Sequence, residues 1–200
     1  MKTTYSAIPN NSRYIPFTQQ SSCCVQTSIQ MIMYRNGISL IPAEELGHHM
    51  GLTVHPEDKE LFYDVRTAEE PPTEAGYGTQ IFEPEYNPNK TFEHFDIPLE
   101  FKLHLADKIA SEDELLDLLK DEEEKDGDAL LCFNHGVIRG EFKPHTGHVV
   151  VFDRIVDGEV QVVDVSPNQP KWRTVKVNLL FEAIKCHADN SVGIWYFNKK

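Results

Sequence analysis

One stretch near the C-terminal end constrains this 200-residue chain more than any other. Gly147–Val156 and Glu159–Val165 are apolar, β-branched runs joined by Asp157-Gly158, a two-residue turn whose backbone matches the twist of a β-hairpin. Helical periodicity dominates earlier in the chain and strands dominate later, joined by hairpins. That order sets the expected fold class as α+β with an antiparallel sheet.

The other elements fall around this hairpin. Val25, Ile29, Ile32 and Met33 recur at helical spacing, which predicts a helix from Cys23 or Cys24 to about Arg35, with Asn36-Gly37 as its stop. A short helix is expected from Pro42, with Glu44 and Glu45 in its first turn where the helix dipole favours acids, ending near Met50-Gly51. Ile97–Ala106 alternates apolar and polar residues as a half-buried strand does. Ser111 and Glu114 form a capping box ahead of Leu115, Leu116, Leu118 and Leu119, predicting another helix. The acidic run Asp121 to Asp128 reads as a linker into a buried strand, Ala129–Phe133. A helix around Val177–His187 and a strand at Val192–Phe197 close the chain. Residues 51–95 hold five prolines (Pro56, Pro71, Pro72, Pro84, Pro88) and sustain no period. They are expected to form an irregular excursion from a single domain spanning 1–200.

Charge narrows the function classes. Nineteen Lys and Arg against 32 Asp and Glu leave a formal net charge of −13. Nucleic-acid binding draws on clustered cations, and so does docking on anionic lipid, so neither partner is expected. No apolar run suits a membrane helix, and no apolar segment of secretory type follows Met1. With Cys23 and Cys24 adjacent, the four cysteines do not form a disulfide framework, and a reduced, cytoplasmic setting is expected. Much of the acidity lies between Glu112 and Asp128, where ten acids face only Lys120 and Lys125; a solvated face is the expectation there.

Three residues stand out chemically. Cys24 falls in the first turn of the first predicted helix, where unpaired N–H groups and the dipole favour a thiolate; the plain alternative is that Cys23 and Cys24 are small buried hydrophobes. His148 opens a buried strand, so a rigid element holds it. A Cys–His pair needs a third group to orient the imidazole, and Asp164 lies across the hairpin turn. An ideal register, however, sets Asp164 opposite Val151 and His148 opposite Pro167, so the two share a face only if a bulge shifts one strand. A zinc site from Cys132, His135, His145 and His148 is disfavoured, because Cys132 sits in an apolar run and the spacing matches no recognised finger. His48 and His49 read as a solvated or half-buried pair, and His135 among other histidines has no evident partner. Trp172, Trp195 and Tyr196 are expected to pack or to line a substrate groove.

The block Ile15 to Met31, with its Ile-Pro-Phe, Gln19-Gln20, Cys23-Cys24 and Thr27-Ser28-Ile29-Gln30-Met31, resembles the papain-like cysteine peptidases, specifically the bacteriocin-leader-peptidase branch called C39-like. Gly147-His148-Val149-Val150-Val151, continuing to Val162-Val163-Asp164, is similar to that family's general-base strand and its Asp-bearing partner. The resemblance implies a papain-like fold, with a central helix carrying the cysteine against a sheet carrying His and Asp. It implies Cys24 as nucleophile, His148 as general base, Asp164 as its orienter and Gln19 as oxyanion donor, with no cofactor or metal. A peptide, protein or amide-containing substrate is then expected. The pattern departs where the family has Cys-Gly-Pro, here Cys24-Val25-Gln26, and where its Gln stands six residues before the Cys; Gln19 is five before and Gln20 four. No exporter membrane domain is expected to follow. An inactive papain-like binding protein and an acyltransferase with the same triad are the alternatives.

Overall fold

A computed structural model describes residues 11–186 and 192–200. Helix α1 (Cys24–Arg35) lies where periodicity places it, and helix α2 (Ala43–His49) where its Pro42 start and first-turn acids do. Two-residue strands β1 (Thr53–Val54) and β2 (Arg66–Thr67) pair parallel, and α3 (Pro88–His94) closes the excursion. Then follow β3 (Leu99–Leu105), α4 (Glu112–Glu124), β4 (Asp128–Asn134) and α5 (His135–Ile138). The chain ends with β5 (Gly147–Val156), β6 (Glu159–Val163), β7 (Trp172–Val175), α6 (Val177–Lys185) and β8 (Gly193–Lys199). The expected end of α6 at His187 lies outside the described residues. No described helix is long and apolar enough to cross a membrane.

The sheet has six antiparallel strands in the order β3-β8-β4-β5-β6-β7. Every residue of β4, and His148 to Asp153 of β5, is buried, so both faces of the central strands are covered. The helices form two groups: α1 packs with α2, while α6 contacts both α4 and α5. Both α1 and α4 reach β5, which makes that strand the centre of the molecule.

Five elements escape the sequence reading: β1, β2, α3, α5 and β7. The last two are four residues each, too short to show a period. The acidic run is also corrected. Helix α4 runs on to Glu124, because Leu115, Leu119 and Glu122 form one buried stripe at helical spacing. Nor is this region simply a solvated face. Asp128 is buried, accepting hydrogen bonds from Tyr14 Oη (2.6 Å), Arg35 Nη1 (2.6 Å) and Asn36 Nδ2 (2.7 Å). Glu123 accepts from the Ile155 N–H at 2.8 Å. These acids join α1, α4 and the sheet.

The excursion is anchored as well as irregular. Its Leu52, Val54 and Phe62 bury Cys23 in a small apolar cluster. Farther along, the Gly147 N–H donates to the Ala75 carbonyl (2.8 Å) and the His145 N–H to the Glu74 carbonyl (3.2 Å). A β-carbon on Gly147 would stand 2.7 Å from Ala75, and one on Gly76 (φ +112°) 2.6 Å from the His145 carbonyl oxygen. Only glycine permits this approach. The excursion is thus strapped against the entry to the strand that carries His148.

Candidate active site

Cys24 is the first residue of α1 and is half-buried; Cys23, the residue before it, is fully buried. Burial pushes the Cys23 thiol up to about 12, with Cys24 and Glu44 adding to the effect. A thiol held protonated in an apolar cluster is a poor nucleophile, so the structure distinguishes the two adjacent cysteines by their surroundings.

His148 is the second residue of β5, paired with Phe133 of β4. Asp164 lies one residue past β6. Near the turn the hairpin keeps its ideal register, Arg154 opposite Gln161, but Phe152 then pairs with Val162, so Asp153 is an extra residue. This bulge is the shift that the sequence requires, and it turns His148 and Asp164 to one face. His148 Nε2 and Asp164 Oδ1 are 2.8 Å apart. Asp153 is wholly buried, accepting from Gln161 Nε2 (2.6 Å) and the Arg13 N–H (2.9 Å).

The electrostatics follow from this geometry. Burial alone would lower the His148 pKa, but hydrogen bonds to Asp164 and Cys24, and their charges, outweigh it and raise it to about 9. Burial likewise pushes the Asp164 carboxyl up. The His148 hydrogen bond, the charges of His148 and Arg173 and the Ser166 N–H outweigh that, holding Asp164 well below the usual carboxylate range. The arrangement therefore favours imidazolium beside carboxylate, with the second ring nitrogen left for the Cys24 sulfur.

Gln19 lies on the extended segment before α1, its N–H donating to the Val165 carbonyl at 2.9 Å. Lys171 Nζ ties the same segment down by donating to the carbonyls of Phe17, Val165 and Ser166. Gln20 is exposed and its amide donates to the Leu61 carbonyl, whereas Gln19 Oε1 is buried without a hydrogen-bond partner.

Two site neighbours are not assigned to the site by the sequence reading. His135 does have a partner: its ring stacks on His148, centroids 5.0 Å apart and planes at 26°. Arg173, on the unanticipated β7, is buried with Nη2 2.7 Å from Asp164 Oδ2. The available signal was a cation in the Trp172–Val175 alternation, which on an exposed strand would face solvent. Cys24, His148, Thr73, Gly76, Gly78 and Trp195 help to line a slot of about 40 Å³. Trp172, Trp195 and Tyr196 all pack against the core, as expected; Trp195 also borders this slot, and Tyr196 borders a separate cavity with Leu118 and His104. Among the described residues no three His, Cys, Asp or Glu side chains converge as metal ligands. His145 Nδ1 instead lies 3.1 Å from the Thr73 carbonyl oxygen.

No protein-family model matches the chain, and neither does any curated protein. Solved structures do match. A double glycine motif protease from an AMS/PCAT transporter, in complex with the leader peptide, superposes with a TM-score of 0.51 at 12% identity, covering 96% of both chains. A C39-like peptidase candidate from Bacillus anthracis gives a TM-score of 0.55 at 13% identity, covering 93% of this chain and 95% of that one. The chain has the C39-like, papain-like α+β fold.

Proposed function

We infer that this protein is a thiol hydrolase of the cysteine-peptidase kind, with Cys24 as nucleophile, His148 as general acid and base, Asp164 as its orienter and Gln19 as oxyanion donor. The observation that carries the reading is His148 held at 2.8 Å by Asp164 while sharing one slot with Cys24 at the start of α1. The Cys24 thiolate attacks a carbonyl carbon, and the oxyanion takes hydrogen bonds from the Gln19 amide and the Cys24 backbone N–H, one of the first-turn donors without an intrahelical acceptor. The tetrahedral species collapses as His148 gives its proton to the leaving amine. His148 then takes a proton from the water that hydrolyses the thioester.

A peptide is the substrate class this reading favours, and a structural neighbour of the same fold is in complex with a leader peptide. The narrowness of the slot, walled partly by Gly76, Gly78 and Gly147, favours small side chains at the reacting carbonyl.

Iodoacetamide labelling from pH 5 to 9, mapped by mass spectrometry, tests the assignment without a known substrate. Selective modification of Cys24 is expected, with a rate that drops by roughly 100-fold or more in His148→Ala as the thiolate loses its partner. Ordinary exposed-thiol reactivity, indifferent to that substitution, would defeat the enzyme reading and leave a binding protein of the same fold.

A further inference from the structure

Four consecutive strands, β4 to β7, each bring one polar side chain to the same place. His135 follows β4, His148 lies on β5, Asp164 follows β6 and Arg173 lies on β7. They form a closed ring of contacts. His148 Nε2 meets Asp164 Oδ1 at 2.8 Å and Asp164 Oδ2 meets Arg173 Nη2 at 2.7 Å. Arg173 Nη1 reaches back to His135 Nε2 at 3.5 Å, and the His135 ring stacks on His148. Register produces the juxtaposition: Val162 pairs with Arg173 and the Asp164 N–H donates to the Lys171 carbonyl, so Arg173 and Asp164 are diagonal neighbours on one face.

We propose that Arg173 and His135 are positioning residues for the Cys24–His148 pair, Arg173 by engaging the second Asp164 oxygen so that the carboxylate presents only Oδ1 to the imidazole, and His135 by fixing the plane of that imidazole from its face. The proposal rests on the triad reading above and adds two residues to it. Charge supports it. Cys24 thiolate, His148 imidazolium, Asp164 carboxylate and Arg173 guanidinium sum to zero, whereas the first three alone leave a net negative charge where Asp164 is wholly buried. The planar guanidinium fork suits contacts with Asp164 and His135 at once, a geometry that an ammonium does not reproduce. His135 can accept from Arg173 only while neutral. Burial, with the charges of His148 and Arg173, lowers its pKa to about 4, which favours the neutral form at neutral pH. Arg139 from the end of α5 adds positive charge in the same sense, and Lys171 faces Asp164 from the β6–β7 connection.

The test is an NMR titration of the His148 imidazole nitrogens, paired with the iodoacetamide rate of Cys24, in the full chain and in Arg173→Met, Arg173→Lys, His135→Phe and His135→Ala. Removing the cation leaves Asp164 uncompensated, so Arg173→Met is expected to move the His148 midpoint up by about one pH unit. Arg173→Lys keeps the charge and is expected to hold the midpoint while slowing alkylation, because the fork is lost. His135→Phe keeps a stacked ring but loses the acceptor for Arg173, so its alkylation should fall between wild type and His135→Ala, which should be slowed by roughly 10-fold. A folded Arg173→Met with an unmoved midpoint, or a His135→Ala as reactive as wild type, overturns the proposal. Should Arg173→Met fail to fold, Arg173→Lys decides, and unchanged alkylation there is the adverse result. A wild-type His148 titrating near 6.5 beside an unreactive Cys24 would defeat the triad reading itself. A wild-type midpoint near 9 with insensitive variants defeats this proposal alone.

Discussion

Two adjacent cysteines with identical side chains receive opposite environments, and the cause is one step along the chain at a helix start. Cys23 points into the cluster of Leu52, Val54 and Phe62, while Cys24 lines the slot with His148. Cys23→Ala should therefore leave the alkylation of the remaining thiol at this site unchanged, and Cys24→Ala should abolish the reactive signal. Asp164 makes the sharper case. Its hydrogen bond and charge favour the imidazolium of His148 and contribute to a pKa near 9. In Asp164→Asn both are weakened, so the pH above which Cys24 reactivity ceases to depend on His148 should fall from about 9 toward the ordinary imidazole value of about 6.5. An unshifted alkaline limb would show that Asp164 does not orient this ring. At this scale much of the candidate site is legible in sequence. Cys24, His148 and Asp164 are unusual residues in recognisable places, and Gln19 belongs to a patterned block. His135 and Arg173 are not legible, since their significance arises only when α5 and β7 are laid beside their neighbours, and neither four-residue segment announces itself.

The hairpin that dominates the sequence also holds the point at which sequence reasoning runs short. An ideal two-residue turn places His148 and Asp164 on opposite faces; the extra residue Asp153 corrects this, and nothing in the apolar periodicity states its position. A signal does exist in hindsight: a carboxylate stands within Val149–Val156, a run whose neighbours are buried. It is satisfied by Gln161 and Arg13, which hold the bulge open. Asp153→Ala removes that anchor and leaves buried donors unpaired, so a loss of about 3 kcal/mol in stability is expected, measured by urea unfolding. Cys24 alkylation should collapse in the surviving folded protein as the register relaxes. Asp153→Asn keeps an acceptor for the Arg13 N–H and should retain most reactivity. Equal reactivity of Asp153→Ala and wild type would mean that the bulge persists without its anchor.

Across the whole molecule, the acidic excess is partly structural, while the buried His148–Asp164 pair ties stability to pH. The acids between Glu112 and Asp128 looked like a local solvated feature in sequence, because a linear run of charge does not reveal which members turn inward. Asp128, Glu122 and Glu123 do turn inward, and residues 51–95 hid their anchors for the related reason that backbone bonds to a distant strand leave no pattern. The His148–Asp164 pair, by contrast, has a definite pH signature. His148 has a folded pKa raised to about 9 against an ordinary 6.5, so its contribution to stability is fully present below about 6.5 and is lost as pH rises through 9. Asp164 has a lowered folded pKa, so its contribution is present above its ordinary value of 3.8 and is lost as pH falls further. Maximal benefit from the pair thus lies between about pH 4 and 6.5. Thermal unfolding followed at intervals from pH 6 to 9.5 should show Tm declining across this range in the wild type. The decline should flatten in His148→Gln, which cannot carry the charge, although that variant starts from a lower Tm. Parallel curves for the two proteins would mean that the His148–Asp164 interaction adds no pH-dependent stability, and that its geometry serves chemistry alone.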